Sequence, residues 1–192
     1  MKLRTILLFG SPGAGKGTQG AILGNIPGYM HISSGDLFRG LGIQNPLRET
    51  FLKYAGRGEL VPDEPSIGLV QDDIENRTRN GTFQPETDTL LLDGIPRNVA
   101  QAQLLDDTLN VVGVLNLFCK DIDIMVERLQ ARALRENRLD DANLETIRNR
   151  LEVYKAETRP VLEHYGDGLS HTIDSTQSPV RVLRDVLEVL AK

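Results

Sequence analysis

Cysteine is almost missing from this chain of 192 residues. Its one example, Cys119, can form no internal disulfide and cannot build a cysteine-rich zinc site. It follows an apolar run, so it reads as a buried structural thiol. Long apolar runs are missing too. No stretch approaches the roughly 20 residues that span a bilayer, and the first apolar run stops at Gly10-Ser11-Pro12, too early for a signal peptide. The expectation is a soluble protein of the reducing cytoplasm, without a membrane partner. A basic excess is also lacking: 22 Lys and Arg against 27 Asp and Glu leave a net charge of −5, which argues against a nucleic-acid partner. Local clefts of arginine remain open to it. Without repeats or low-complexity tracts, residues 1–192 are expected to form one compact domain with a sizeable core.

What is present starts with glycine. Gly10-Ser11-Pro12-Gly13-Ala14-Gly15-Lys16-Gly17-Thr18 directly follows the apolar run Ile6-Leu7-Leu8-Phe9. Glycine, four residues, then Gly-Lys after a strand is a phosphate-binding loop. Positions without side chains let the backbone curl its N–H groups toward phosphate oxygens, and the lysine reaches the outer phosphates. A helix starting near Lys16 adds the positive end of its dipole. The generic motif has Ser or Thr right after the lysine, whereas Gly17 stands there and Thr18 follows. The ligand implied is a nucleotide polyphosphate.

Apolar runs at Leu3–Phe9, Tyr29–Ile32, Thr89–Leu92, Val111–Phe118 and Leu169–Ile173 lack polar alternation, as strands covered on both faces do. Helical stripes lie between them: Ile122, Met125, Leu129 and Ala133, then Leu144, Ile147, Leu151, Tyr154, Thr158 and Val161. Pro160 is expected to kink the second helix, Gly166 and Gly168 to end it, and Val180, Leu183, Leu187 and Leu190 to mark a closing helix after Pro179. This alternation predicts an α/β fold, a doubly wound five-stranded parallel sheet with helices on both faces. Ligands of such sheets bind beyond the carboxyl ends of the strands. Two stretches exceed a simple crossover, 33–61 and 131–141, and long connections at that edge serve as lobes or lids.

Four further groups of residues follow the loop in order. They are Ser33-Ser34-Gly35-Asp36-Leu37-Phe38-Arg39, Gly58-Glu59-Leu60-Val61-Pro62-Asp63, Asp93-Gly94-Ile95-Pro96-Arg97 with Gln101, and the arginines 128, 132, 138 and 150. Together with the loop they closely resemble the adenylate kinases, nucleoside monophosphate kinases of the P-loop fold, over essentially the whole chain. The resemblance implies reversible, Mg²⁺-dependent transfer of the terminal phosphoryl group of ATP to AMP, giving two ADP, by a monomer. It makes 33–61 an inserted AMP-binding lobe and 131–141 a short lid that cannot be the zinc-stapled long type. ATP is implied to contact Gly13, Ala14, Gly15, Lys16, Gly17, Thr18, Arg128, Arg132 and Ser178. AMP is implied to contact Ser34, Arg39, Glu59, Leu60, Val61, Gly94, Ile95, Pro96, Arg97, Gln101, Arg138 and Arg150. Lys16, Arg97, Arg132, Arg138 and Arg150 are the implied catalytic set, and Asp93 the carboxylate that holds Mg²⁺ through water.

Charge chemistry supports this set. Bringing two nucleotides together is a problem of electrostatic positioning, and arginine meets phosphate oxygens with a planar fork that stays charged. Arg128 and Arg132 are four apart on a predicted helix and share a face. Competing readings remain at several positions. Asp93 could cap a helix, and Arg135 and Arg148 could pair with acids one turn away. Asp140-Asp141 could hinge the lid through Arg128 or Arg132, or cap a helix beginning near Ala142. His31, His164 and His171 have no metal-ligand spacing and read as structural or exposed, and Tyr154 as core. Ser34 stands where the family commonly has threonine and keeps its hydroxyl. UMP/CMP kinases, the alternative reading, typically have alanine there. Ile95 and Asn98 replace a frequent phenylalanine and threonine, the latter as a capping swap. A non-catalytic nucleotide-binding module is the remote alternative, and would need no second nucleotide lobe.

Overall fold

A computed structural model describes residues 2–191 other than 137, 139, 140 and 142. Five parallel strands, β1 (Leu3–Phe9), β2 (Tyr29–Ser33), β3 (Thr89–Asp93), β4 (Leu109–Phe118) and β5 (Ser170–Asp174), lie in the order β2-β3-β1-β4-β5. All five expected strands form, with ends moved by one or two residues. Their unbroken apolar character follows from burial on both faces. Leu7, Leu90, Leu92 and Val114 enter one core with Ile67, Val70 and Ile74, while Ile6, Leu8, Leu91 and Leu115 enter the other with Leu23, Val182 and Val186. Successive residues of a strand thus feed opposite cores, as the two-residue period requires.

The helices are α1 (Lys16–Leu23), α2 (Ser34–Gly40), α3 (Pro46–Ala55), α4 (Asp63–Arg79), α5 (Val99–Leu105), α6 (Ile122–Glu136), α7 (Leu144–Val153), α8 (Val161–Tyr165) and α9 (Pro179–Leu190). Side-chain oxygens of Ser33, Asn45, Asn98 and Asn143 accept backbone N–H groups at the starts of α2, α3, α5 and α7. Asn98 therefore caps its helix as expected. The ladder places β1 between β3 and β4, so the chain reverses direction across the sheet there and leaves a crevice beyond Phe9.

One expectation about the helices changes, and the closing helix forms as expected, as α9. The stripe from Leu144 to Val161 is not one kinked helix. α7 ends at Val153, a π-helical turn spans Tyr154–Thr158, and Arg159 N–H donates to the Tyr154 carbonyl at 2.9 Å. Pro160 then precedes α8, where its missing N–H leaves no helical bond unmade, and Gly166, at φ 75°, ends the helix. In α9 the buried residues are Val182 and Val186, with Leu183, Val189 and Leu190 packed beside them. Val180 is 76% exposed and Leu187 39% exposed. The apolar residues 180, 182, 183, 186, 187, 189 and 190 fall on one half of this helix and Arg181, Arg184, Asp185 and Glu188 on the other; Val180 and Leu187 lie at the edge of the apolar half, which is why they are exposed.

Candidate active site

The glycine loop closes one wall. Gly10 has φ 141°, and a Cβ there would stand 2.4 Å from the Leu117 carbonyl oxygen. At Gly13, φ 86°, a Cβ would meet the Met125 carbonyl oxygen at 2.9 Å. Only glycine lets the loop press between β4 and α6 with this backbone. Gly15, in the left-handed region, precedes α1, whose first turn has no side-chain cap. Its first N–H groups are thus left for a ligand, and Lys16, Gly17 and Thr18 of this turn line the cleft. Lys16 Nζ donates to the carbonyls of Gly10 at 2.7 Å and Ser11 at 3.3 Å. Burial, reinforced by Arg97, Arg132 and Arg150, pushes its pKa down to about 8 against the opposing pull of Asp93.

Asp93 ends β3 beside the loop and is 7% exposed; a Cβ on Gly17 would lie 3.7 Å from its Oδ2. His31 Nε2 stands 4.0 Å from the same carboxylate, and burial lowers the imidazole pKa. Next along the chain, Gly94 has φ 79°, and Arg97 Nε donates to its carbonyl at 2.7 Å. Ser34 Oγ donates to that carbonyl too, at 2.8 Å. Arg39 pairs with Asp36 at 2.7 Å, and Arg138 reaches the same carboxylate at 3.5 Å. Arg39, hydrogen-bonded to it, holds the Asp36 carboxyl below its ordinary range against the cost of burial.

The far wall is α6 and α7. Arg128 donates to the carbonyls of Ser175 and Thr176. Arg132 and Arg150 both bind Asp141, which is completely buried. Of the partners considered for the Asp140-Asp141 pair, Asp141 thus takes Arg132 and not Arg128; Asp140 and Ala142 lie outside the described residues. α7 also grips the end of the 33–61 segment, through Thr146 to the Gly56 carbonyl and Asn149 to that of Arg57.

These walls enclose a cleft of about 650 Å³. Among the expected residues it gathers Gly13, Ala14, Gly15, Lys16, Gly17, Thr18, Arg39, Glu59, Leu60, Val61, Asp93, Gly94, Pro96, Arg97, Arg128, Arg132, Arg138 and Arg150. Ser34 and Gln101 face a smaller recess that shares Val61, Gly94 and Arg97 with it. Two do not line either space. Ile95, two residues beyond the end of β3, is packed into the core with Leu90 and Leu92 and is 2% exposed. Ser178 is exposed at the start of α9, while its neighbours Gln177 and Pro179 line the cleft. Residues not singled out also appear there. Phe51, stacked on Phe38 at 5.2 Å, forms one side, and Tyr154 faces the cleft instead of the core. Asp36 organises two arginines. The Asp36–Arg39 spacing of three on a helix was its available signal.

A model of the adenylate kinase family matches residues 8–169. The chain belongs to the adenylate kinase family. Among curated adenylate kinases, that of Corynebacterium aurimucosum is 43% identical over 169 residues, covering 85% of this chain and 86% of the relative. The Streptomyces coelicolor protein is 36% identical, with 97% and 98% covered. Adenylate kinase 1 of a Synechocystis species is 38% identical, with 97% and 96% covered. As a member of this family of phosphotransferases, the chain presents its cations as a ring around one cleft. Adenylate kinase chemistry needs such a ring, because phosphoryl transfer concentrates negative charge at one point.

Proposed function

We propose that the protein transfers the terminal phosphoryl group of ATP to AMP, reversibly and in line, giving two ADP. One observation carries the reading: a phosphate loop and a second, arginine-lined recess open into the same cleft, with Lys16 on one side and Arg39 and Arg97 on the other. A module that only binds a nucleotide needs the first and not the second.

In this reading the loop from Gly13 to Thr18, with Arg128, Arg132 and the backbone near Ser178, takes ATP. Segment 33–61 is the AMP lobe: Arg39 and Arg97 hold the acceptor phosphate, while Ser34, Leu60, Val61 and Gln101 surround the base. Arg132 and Arg138, from a lid at 131–141, and Arg150, from α7, close on the transferring group. Arginine contacts of this kind are worth about three to five powers of ten in rate. No general base is required, since the acceptor is a phosphate oxyanion. Closing the lid excludes water, the competing acceptor.

Among the described residues no three His, Cys, Asp or Glu side chains converge as a cage. Asp93 nevertheless fits Mg²⁺, a hard cation that keeps its waters and is shared between one carboxylate and substrate phosphates. Its carboxylate is buried, borders the phosphate loop, acts on Lys16 and has the tip of His31 at 4.0 Å. When bound, the ion neutralises charge on the phosphates. We place the enzyme in the cytoplasm as a monomer; no helix among the described residues is long and apolar enough to cross a membrane.

The test is ADP formation from Mg·ATP with AMP, UMP, CMP or GMP as acceptor under identical conditions. Strong turnover with AMP alone is expected. A preference for UMP or CMP would overturn the substrate, and ATP binding without acceptor-dependent turnover would overturn the activity.

A further inference from the structure

A carboxylate outside the cleft stands behind the recess. Asp63 begins α4, and its Oδ1 accepts two amides from the start of α5: Asn98 Nδ2 at 2.9 Å and Gln101 Nε2 at 2.8 Å. Both amide orientations follow from chemistry. Arg97 N–H, which can only donate, points at Gln101 Oε1 at 2.7 Å, while the Asp63 carboxylate accepts at Nε2. Likewise Gln101 N–H donates to Asn98 Oδ1 at 2.7 Å, so Asn98 must turn its NH₂ to Asp63. Rotating the Gln101 amide by half a turn would set donor against donor at Arg97 and acceptor against acceptor at Asp63. Two hydrogen bonds would be exchanged for two repulsions in a place where Gln101 is only 2% exposed.

An amide has two acceptor positions on its oxygen and two donor hydrogens on its nitrogen. One of each is used here, which leaves Gln101 with one acceptor and one donor in a set order. Adenine presents an amino donor beside a ring-nitrogen acceptor, whereas a 6-oxopurine presents a carbonyl acceptor beside an N–H donor. A freely rotating glutamine pairs with either. One held in place pairs with one alone. We infer that Asp63 is a positioning residue that holds the Gln101 amide in a single orientation, and so makes the acceptor site read a 6-aminopurine and reject a 6-oxopurine. The inference rests on the proposed function, in which Gln101 faces the acceptor base.

The experiment compares AMP with inosine monophosphate as acceptors for the wild type, Asp63→Ala, Asp63→Asn and Gln101→Ala, with thermal midpoints recorded beside. In Asp63→Ala the ratio of kcat/KM for AMP over inosine monophosphate falls by about tenfold, the loss of one enforced hydrogen bond. The change lies in the KM for the acceptor and not in the KM for ATP. Asp63→Asn, which keeps an acceptor oxygen in place, stays within about threefold of the wild-type ratio. Asp63→Ser keeps a residue suited to starting a helix while withdrawing the carboxylate, and replaces Asp63→Ala if that variant fails to fold. An unchanged ratio with a lowered midpoint would mean that Asp63 only anchors α4, and the inference fails. Gln101→Ala separates this from a failure of the acceptor site. If its ratio is also unchanged, the base is read elsewhere and both fall; if it collapses while Asp63→Ala does not, only the positioning role falls.

Discussion

Binding of ATP should carry a proton into the protein, and Lys16 sets how much. Burial lowers this lysine from the ordinary 10.5 to about 8, with Arg97, Arg132 and Arg150 adding to the effect. Bound phosphates reverse the balance by placing negative charge against Nζ, so the bound form has a pKa near or above its ordinary value. The linked uptake is then about 0.1 proton at pH 7, about 0.5 at pH 8 and about 0.7 at pH 8.5. Apparent affinity for ATP weakens about twentyfold between pH 7.5 and 9.5 as the neutral lysine accumulates. The free protein behaves in the opposite sense. Between pH 8 and 10.5 the unfolded chain holds more of this proton than the folded one, so the stability penalty of the buried ammonium is complete below pH 8 and fades as pH rises through that window. Calorimetric titration with ATP at pH 8.5, in two buffers of different ionisation enthalpy, measures the uptake. Phosphate groups, with a second pKa of about 6, contribute nothing there, and His31, shifted downward, is already neutral. Lys16→Met should abolish the uptake. Fewer than about 0.1 proton taken up by the wild type, or an equal uptake by Lys16→Met, would refute the argument.

Asp141→Ala leaves the guanidinium groups of Arg132 and Arg150 facing each other without their shared carboxylate, so stability falls by about 1–3 kcal/mol in urea unfolding and kcat by about a hundredfold. Asp141→Asn, keeping one acceptor, falls between; wild-type kcat in the alanine variant would end the idea that this acid positions the arginines. Gly20→Ala would place a Cβ between 2.3 and 2.8 Å from the His31 ring, so it destabilises by about 1–2 kcal/mol even though alanine favours helix. In a His31→Ala background the same change becomes neutral or stabilising, and additivity of the two in a double-mutant cycle would show that the ring and the helix are not in contact.

Much of the architecture was legible because its causes are local. A strand buried on both faces must be apolar at successive positions, which is why all five strands could be found as runs. The phosphate loop was readable because Gly10, Gly13 and Gly15 occupy backbone conformations or spaces that exclude a side chain. Where local signals were weak, reading along the chain lost resolution. α4 went unmarked, since Pro65 and Gly68 interrupt its helical pattern even though Ile67, Val70 and Ile74 are buried along it.

The residues expected in the candidate site were for the most part brought to one cleft, yet, apart from Asp36 three residues before Arg39, their partners were not written in any spacing. Asp141 lies nine residues from both Arg132 and Arg150, and Asp63 lies 38 from Gln101. Such contacts depend on where helices from separate crossovers come to rest, and no local propensity encodes that. What the sequence determined by itself was the sheet, the phosphate loop and the kinds of side chain supplied to the cleft, because backbone geometry and burial periodicity act over a few residues. Which carboxylate holds which arginine, which way Gln101 faces, and that Ile95 belongs to the core were decided only by tertiary packing, which sets distances between groups that the chain keeps far apart.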